Sequence, residues 1–209
     1  MLFDPAVHHR RSIRLKGYDY SQPGVYVVTI VTQDRENFWG RITDGKMQPT
    51  AAGQMVARWW LELENKFQSA RLCEFIVMPN HFHGIICLTV PSSTVGVDLR
   101  VDPGARIDAG TCNDSDSISS SQPTVEEGTH TGVPLPEIIQ WYKTMTTNEY
   151  IRGVKHLGWP AFRARVWQRN YYEHIIRSEI ELNQIGEYIR TNPDRWANDT
   201  ENRFHESPP

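Results

Sequence analysis

The sequence predicts an α+β fold in which helices pack on one face of an antiparallel sheet. β-branched runs occur close together with short turns between them, and longer segments repeat apolar residues at helical spacing. In chain order they are strand, hairpin, helix, strand, strand, helix and helix, an order typical of α+β sandwiches. The 209 residues, of which 39% are hydrophobic and 11% aromatic, suit one domain with one core.

The first predicted elements are strands. Residues 25–32 are rich in β-branched side chains and predict a buried strand. Residues 38–50 predict a hairpin that turns at Asp44-Gly45, a dipeptide typical of tight hairpin turns. Residues 51–70 predict a helix on this sheet, because apolar residues recur at helical spacing: Met55, Val56, Trp59, Trp60, Leu63 and Phe67.

The next pair of strands carries two histidines. Residues 72–78 and 82–90 predict strands joined by a Pro-Asn turn, with His81 and His83 at the head of the second. Alternate residues of a strand share a face, so both imidazoles are expected on one face and Phe82 on the other. Two imidazoles on one face are half of a metal site, although the pattern alone also fits two incidental histidines.

Two helices are predicted in the last third of the chain. The first covers 134–152, opens on two prolines and is expected to end at Gly153. The second covers about 178–192, with Ser178 as its cap and Pro193 as its stop.

The final helix carries a polar stripe. Gln184, Tyr188 and Asn192 are spaced four residues apart and therefore lie along one side. A tyrosine has a pKa of roughly 10, so as a nucleophile Tyr188 needs a metal ion or a base nearby. The stripe by itself also fits a tyrosine at the edge of the core.

Composition and charge exclude several classes of protein. No apolar run approaches the length of a membrane span, and the N-terminus has no secretory pattern. Three cysteines fit neither a disulfide framework nor a zinc ribbon. We therefore expect a cytoplasmic protein without a membrane partner, associated with the nucleoid when bound to DNA.

Residues 90–133 predict a disordered acidic insertion. They contain no aromatic residue, and two basic residues stand against seven acidic ones. Such a segment buries too little apolar area to offset the entropy of ordering it. The chain as a whole has a net charge of −3, but the residues outside the insertion have a net charge of +2.

Positive charge is concentrated in residues 141–177, where seven basic residues stand against two acidic ones and eight aromatic residues are interleaved with them. Cations for phosphates and rings for unpaired bases are what a single-stranded nucleic acid requires. A solvated basic face over an aromatic core explains the same composition.

Three segments in this order resemble the REP-associated tyrosine transposases, relatives of the single-tyrosine HUH transposases of small insertion sequences. They are Met-Pro-Asn-His-Phe-His-Gly-Ile-Ile (78–86), Trp-Gln-Arg-Asn-Tyr-Tyr-Glu-His-Ile-Ile-Arg (167–177) and Glu-Tyr-Ile-Arg-Thr-Asn-Pro (187–193). The resemblance implies a ferredoxin-like antiparallel sheet with helices on one face. It divides the chain into a basic arm (1–23), a transposase-like domain (24–196) interrupted by the insertion, and a polar tail (197–209).

The resemblance also implies a chemistry. His81 and His83 look like the two imidazoles that bind a divalent metal ion, Mg or Mn. Tyr188 looks like the nucleophile, and Asn192 looks like the third ligand, where relatives tend to carry Gln. The implied activity is cleavage and transfer of single-stranded DNA near a hairpin through a 5′-phosphotyrosine, by a monomer or a homodimer.

Five residues of the basic aromatic segment are candidate DNA contacts: Lys143, Arg169 and Arg177 for phosphates, and Tyr171 and Tyr172 for bases. Two alternatives stay open at this point. One is a catalytically inactive protein that binds DNA or RNA hairpins with the same sheet. The other is a zinc hydrolase that uses His81, His83 and a carboxylate not identifiable from the sequence.

Overall fold

The computed structural model describes residues 17–90 and 132–202. Their helices and strands are, in chain order, β1 (Gly24–Val31), β2 (Gly40–Thr43), β3 (Lys46–Pro49), α1 (Ala51–Lys66), β4 (Ala70–Val77), β5 (His81–Leu88), α2 (Leu135–His156), β6 (Tyr172–Ile176) and α3 (Glu179–Thr191). Short 3-10 segments cover Gln33–Arg35 and Asn192–Asn198. Almost all of the predicted insertion (90–133) and most of the predicted basic arm (1–23) lie outside the described residues.

The main sheet has four antiparallel strands in the order β4-β5-β1-β6. α1 lies between β1 and β4 in the chain, and α2 lies between β5 and β6. This order with two crossover helices is the ferredoxin-like arrangement, so the predicted α+β class and antiparallel sheet are confirmed. The predicted hairpin forms a separate two-stranded sheet of β2 and β3 that turns at Asp44 and Gly45.

The sheet buries different side chains on its two faces. Phe82 of β5 packs against Trp60 of α1 and Tyr142 of α2, in the large aromatic core. Ile85 points the other way and forms a smaller cluster with Ile189 of α3. The expectation that the helices share one face therefore holds for α1 and α2 but not for α3. The physical reason is the alternation of apolar side chains along β5, which leaves both faces of the sheet to be covered.

Two further details differ from the sequence prediction. Strand β6 is absent from the predicted element order, and it forms the edge of the sheet by pairing with β1. Helix α2 does not end at Gly153 but continues to His156. A Cβ at Gly153 would overlap the Trp159 ring, so this glycine allows close packing rather than termination. Among the described helices, none is both long and apolar enough to cross a membrane.

Candidate metal and tyrosine site

Strand β5 presents both histidines on the face that α3 covers. His81 is fully buried and His83 is 7% exposed, and their ring centroids are 4.6 Å apart. Phe82 between them belongs to the aromatic core on the opposite face. The predicted pairing of the two imidazoles on one face is therefore present.

Each imidazole is held by a hydrogen bond at its Nδ1 atom. The Nδ1 of His81 lies 2.9 Å from Asn80 Oδ1, and the Nδ1 of His83 lies 2.8 Å from Thr29 Oγ1. The Asn80 oxygen can only accept, so His81 donates from Nδ1 and its Nε2 carries the lone pair. Within residues 17–90 and 132–202, neither buried Nε2 atom has a hydrogen-bond partner. The Nε2 of His81 therefore remains available as a ligand, and that of His83 is available when the Thr29 hydroxyl accepts from Nδ1.

Burial keeps both imidazoles neutral. It lowers the pKa of His81 to about 3. Burial is also the main cause that lowers the pKa of His83 to about 3; the neighbouring His81 adds to it and Asp199 opposes it. Because a metal ion binds the neutral form of imidazole, both side chains are ready to bind one at neutral pH.

A carboxylate completes the cluster. One ligand atom each from His81, His83 and Asp199 lies within 4.8 Å of the others, so these three side chains can hold a metal ion. Asp199 Oδ2 is 3.9 Å from His81 Nε2, and the Asp199 side chain is 7% exposed. Because His81 is neutral, this contact is not an ion pair, and the Asp199 oxygen faces the side of the ring that can bind a cation. The sequence prediction missed Asp199, which lies in the predicted polar tail (197–209).

Tyr188 lies beside the histidines. Its ring centroid is 5.5 Å from that of His83, and the side chain is 40% exposed. Burial, and then the Asp199 carboxylate, raise the pKa of the phenol, whereas the side-chain amide of Asn192 lowers it. The phenol is therefore protonated at neutral pH, and its open side leaves room for a substrate to reach the oxygen.

Asn192 ends α3 and is 1% exposed. Its Oδ1 is buried and makes no hydrogen bond to any described residue. The 3-10 segment Asn192–Asn198 then carries the chain to Asp199. An amide oxygen therefore lies at the end of the helix that carries Tyr188, and the 3-10 segment after it leads to a carboxylate.

The donor set fits a divalent ion. Two imidazole nitrogens come from His81 and His83 and one carboxylate oxygen from Asp199, and the buried Oδ1 of Asn192 at the end of α3 is a further oxygen donor without a described partner. Mixed nitrogen and oxygen donors suit Mn²⁺ or Zn²⁺, and they suit Mg²⁺ less well because it prefers oxygen ligands.

The structure brings two of the five predicted DNA contacts to the site end of the sheet. Thr29 pairs with His83 on one side and with Tyr172 on the other, so Tyr172 lies in the same row of the sheet, 54% exposed. Arg169 is exposed and follows Gln168, whose N–H donates to Val31 O at the end of β1.

The other three predicted contacts are a lysine bound to backbone carbonyl groups, a buried tyrosine, and an arginine just past the end of β6. The ammonium of Lys143 donates to the carbonyl groups of Gln168 and Arg169, at 2.6 and 2.9 Å. Tyr171 is 6% exposed and packs in the aromatic core. Arg177 follows the last residue of β6, roughly 17 Å along the strands from the row of His83.

Two cavities adjoin this segment. One of about 530 Å³ lies against α2 and is lined by Lys143, Phe162, Arg165 and Arg169, among others. A second of about 900 Å³ reaches from Arg35 to Arg163 and shares Phe162, Arg165 and Gln168 with the first. Within the described chain, no carboxylate forms an ion pair with Arg163, Arg165 or Arg169, three exposed arginines that line these cavities.

A protein of Haemophilus influenzae (strain ATCC 51907 / DSM 11121 / KW20 / Rd), described as uncharacterized, is 34% identical to this chain over 197 residues. The alignment covers 94% of this chain and 95% of that protein. The two proteins belong to one family. No protein-family model matches the chain.

Two solved structures are also similar to this chain, at low sequence identity. One is a REP-associated tyrosine transposase bound to a REP hairpin, 14% identical, with a TM-score of 0.49 over 89% of this chain and 74% of that one. The other, from Deinococcus radiodurans R1, is described as a "putative transposase" and is 14% identical, with a TM-score of 0.42 over 86% of this chain and 96% of that one.

Proposed function

We propose that this protein is a metal-dependent endonuclease and strand transferase for single-stranded DNA, with Tyr188 as its nucleophile. The observation that carries the proposal is the meeting of Tyr188, from α3, with two neutral imidazoles and a carboxylate. A phenol is a weak nucleophile, and a divalent ion beside it is the partner that its chemistry requires.

The chain's own residues would divide the work. His81, His83 and Asp199 would hold the ion, with Asn192 as a further oxygen donor, and we propose Mn or Mg as the ion. When bound, the ion supplies positive charge beside the scissile phosphate. The Asn192 side chain also lowers the pKa of the phenol, which would favour the attacking phenolate form.

The proposed step conserves the number of phosphate ester bonds. The Tyr188 oxygen forms a bond to phosphorus as the bond from phosphorus to the 3′ oxygen breaks. The phenol proton is lost to water, and the departing 3′ oxygen takes up a proton to become a hydroxyl group. The product is a 5′-phosphotyrosine, which a second 3′-hydroxyl group can attack to join a new strand without ATP.

The proposed DNA path follows the site end of the sheet. Tyr172 offers an exposed ring in line with His83, and Arg169 offers a cation at the end of β1. Arg163 and Arg165, which form no ion pair with a described carboxylate, extend this path along the two cavities. We propose that Lys143 and Tyr171 act indirectly, by holding the 168–171 segment in place, and that Arg177 contacts only DNA that extends past the site.

The direct test is formation of a covalent adduct. Incubation with a labelled single-stranded hairpin oligonucleotide and Mn²⁺ should give a band of increased mass that survives denaturing electrophoresis. Tyr188→Phe should abolish that band, and the matched control Tyr172→Phe should retain it. An adduct that persists in Tyr188→Phe would show that another residue is the nucleophile.

The binding surface has a separate test. Oligonucleotide affinity is measured without metal, in the Tyr188→Phe background, as a function of salt. Each of Arg163→Ala, Arg165→Ala and Arg169→Ala should reduce the slope of log affinity against log salt by about 0.7, as expected for one phosphate contact on a single strand. Arg41→Ala, a change of equal charge on β2, should leave the slope unchanged.

Asp199 also favours a second candidate function. Two histidines and one carboxylate form a three-ligand set that catalytic zinc sites use, with a water molecule as the fourth ligand. Stoichiometric zinc in the purified protein, together with hydrolysis that does not depend on DNA, would support that function. Tight hairpin binding without cleavage over a range of metals would instead support an inactive binding protein.

A further inference from the structure

Asn80 lies directly before β5 and is completely buried. Its backbone carbonyl accepts a hydrogen bond from Thr32 N at 2.8 Å, which fixes the turn against the end of β1. Its side chain contacts the His81 ring, the carbonyl of Arg35 and the carbonyl of Glu201. We infer that Asn80 is a positioning residue with two tasks in the proposed metal site: it orients the ligand His81 and it holds the segment that carries the ligand Asp199.

The side-chain oxygen of Asn80 determines the tautomer of the His81 ring. Asn80 Oδ1 lies 2.9 Å from His81 Nδ1 and cannot donate, so it selects the tautomer with the proton on Nδ1. That tautomer leaves the lone pair on Nε2, the atom near Asp199. Partners of this kind, behind a metal-binding histidine, fix ring orientation and ligand basicity.

The donor side of the amide acts on the C-terminal segment. Asn80 Nδ2 donates to Glu201 O at 2.6 Å and to Arg35 O at 3.3 Å. Arg35 Nε also donates to the Glu201 carboxylate at 2.7 Å, so residue 201 is held at two points. Glu201 N in turn donates to Asp199 Oδ1 at 2.7 Å, and the other oxygen of Asp199 faces His81.

An amide is the side chain that can perform both tasks. It combines an acceptor with two donors in one plane, and here all three are used. An aspartate keeps the acceptor for His81 but places a second oxygen against two carbonyl oxygens. This difference allows the two halves of the inference to be separated by substitution.

The first test uses the metal-free protein and NMR. In the wild type we expect ¹⁵N shifts of His81 typical of a protonated Nδ1 and a bare Nε2, and slow exchange of the Glu201 amide. Asn80→Ala should give a mixture of His81 tautomers and faster Glu201 exchange. Asn80→Asp should keep the tautomer and lose only the protection of Glu201.

Thr29→Val is the matched control. It removes the equivalent partner of His83 but does not touch the C-terminal segment. It should change the tautomers of His83 and leave the Glu201 exchange rate unchanged. The inference is overturned if Asn80→Ala leaves either the His81 tautomer or the Glu201 exchange rate as in the wild type.

The second test is Mn²⁺ affinity measured by calorimetry. Asn80→Ala should bind Mn²⁺ about 10- to 100-fold more weakly than the wild type, the range typical of lost support behind a ligand. Unchanged affinity would overturn the link between Asn80 and the metal. The inference about Asn80 rests on the proposed metal site. It can still fail separately from the proposed function, because a wild-type protein that binds Mn²⁺ but forms no DNA adduct would refute only the nuclease activity.

Discussion

At the scale of single residues, the site contains buried polar atoms that lack a hydrogen-bond partner within the described part of the chain. Protein interiors seldom leave such atoms without partners, because each costs free energy. Here the Nε2 atoms of His81 and His83 and the Oδ1 of Asn192 all lack one among the described residues. The two Nε2 atoms belong to rings only 4.6 Å apart, and such a pair is typical of a site selected for binding rather than for stability.

The role of Asp199 gives a prediction at this scale. Asp199→Asn keeps the shape of the side chain but removes the charge that attracts a cation, so Mn²⁺ should bind at least about tenfold more weakly, or about 1.4 kcal/mol. Isothermal titration calorimetry measures the change. Asp194→Asn, an exposed change in the adjoining 3-10 segment, should bind Mn²⁺ as the wild type does. Equal affinities for the two variants would remove Asp199 from the ligand set.

The sequence predicts the histidine pair but not Asp199, for a physical reason. The alternation of a strand is local, so the side-by-side placement of His81 and His83 follows from their spacing. Asp199 reaches them only because Asn80 and Arg35 hold residue 201, and contacts between distant parts of the chain leave no periodic signal. The position of Tyr188 beside His83 lies between these two cases: the family resemblance implied it, but the periodicity of the sequence did not predict it.

At the scale of elements, the predicted boundaries fail where tertiary contacts decide them. Strand β6 has alternating burial but contains a glutamate and a histidine, and its extended form depends on pairing with β1. Glycine commonly ends a helix, yet at Gly153 the helix continues, and the Trp159 ring occupies the space that a side chain at this position would need. The Asp44-Gly45 turn, by contrast, is decided by its own backbone preferences, with φ angles of 51° and 69°.

The packing at Gly153 gives the second prediction. Gly153→Ala should destabilise the protein by about 1–3 kcal/mol, because the new methyl group must displace the Trp159 ring from α2. Urea unfolding followed by circular dichroism measures the loss. Asn148→Ala, at an exposed position of the same helix, should change stability by no more than about 0.5 kcal/mol. A Gly153→Ala protein as stable as the wild type would show that Trp159 moves aside freely.

At the scale of the whole molecule, stability resides in the aromatic core between the sheet and helices α1 and α2. Tyr142 is fully buried in it, donates to Val56 O at 3.1 Å, and packs on both Trp60 and Phe82. Burial raises the pKa of Tyr142 well above its usual value of 10.0, and raises that of Tyr150 to about 12. The core therefore requires neutral tyrosines.

This requirement gives the third prediction. Above about pH 10 the unfolded chain loses phenol protons that the folded chain retains. The free energy of unfolding therefore has its full value below that pH and decreases as the pH rises above it. A single buried tyrosine contributes up to about 1.4 kcal/mol per pH unit. Urea midpoints at pH 8 to 11 should fall for the wild type and fall less for Tyr142→Phe. Parallel curves for the two proteins would contradict the assignment to Tyr142.

The split between the two faces of the sheet has a practical consequence. The histidines, Tyr188 and Asp199 lie with α3, whereas the large aromatic packing lies on the opposite side. We therefore expect surface and ligand changes on the α3 side to destabilise the protein less than changes in the aromatic core. A designer who wishes to alter ion preference or target specificity has one side of the molecule to vary and the other to leave intact.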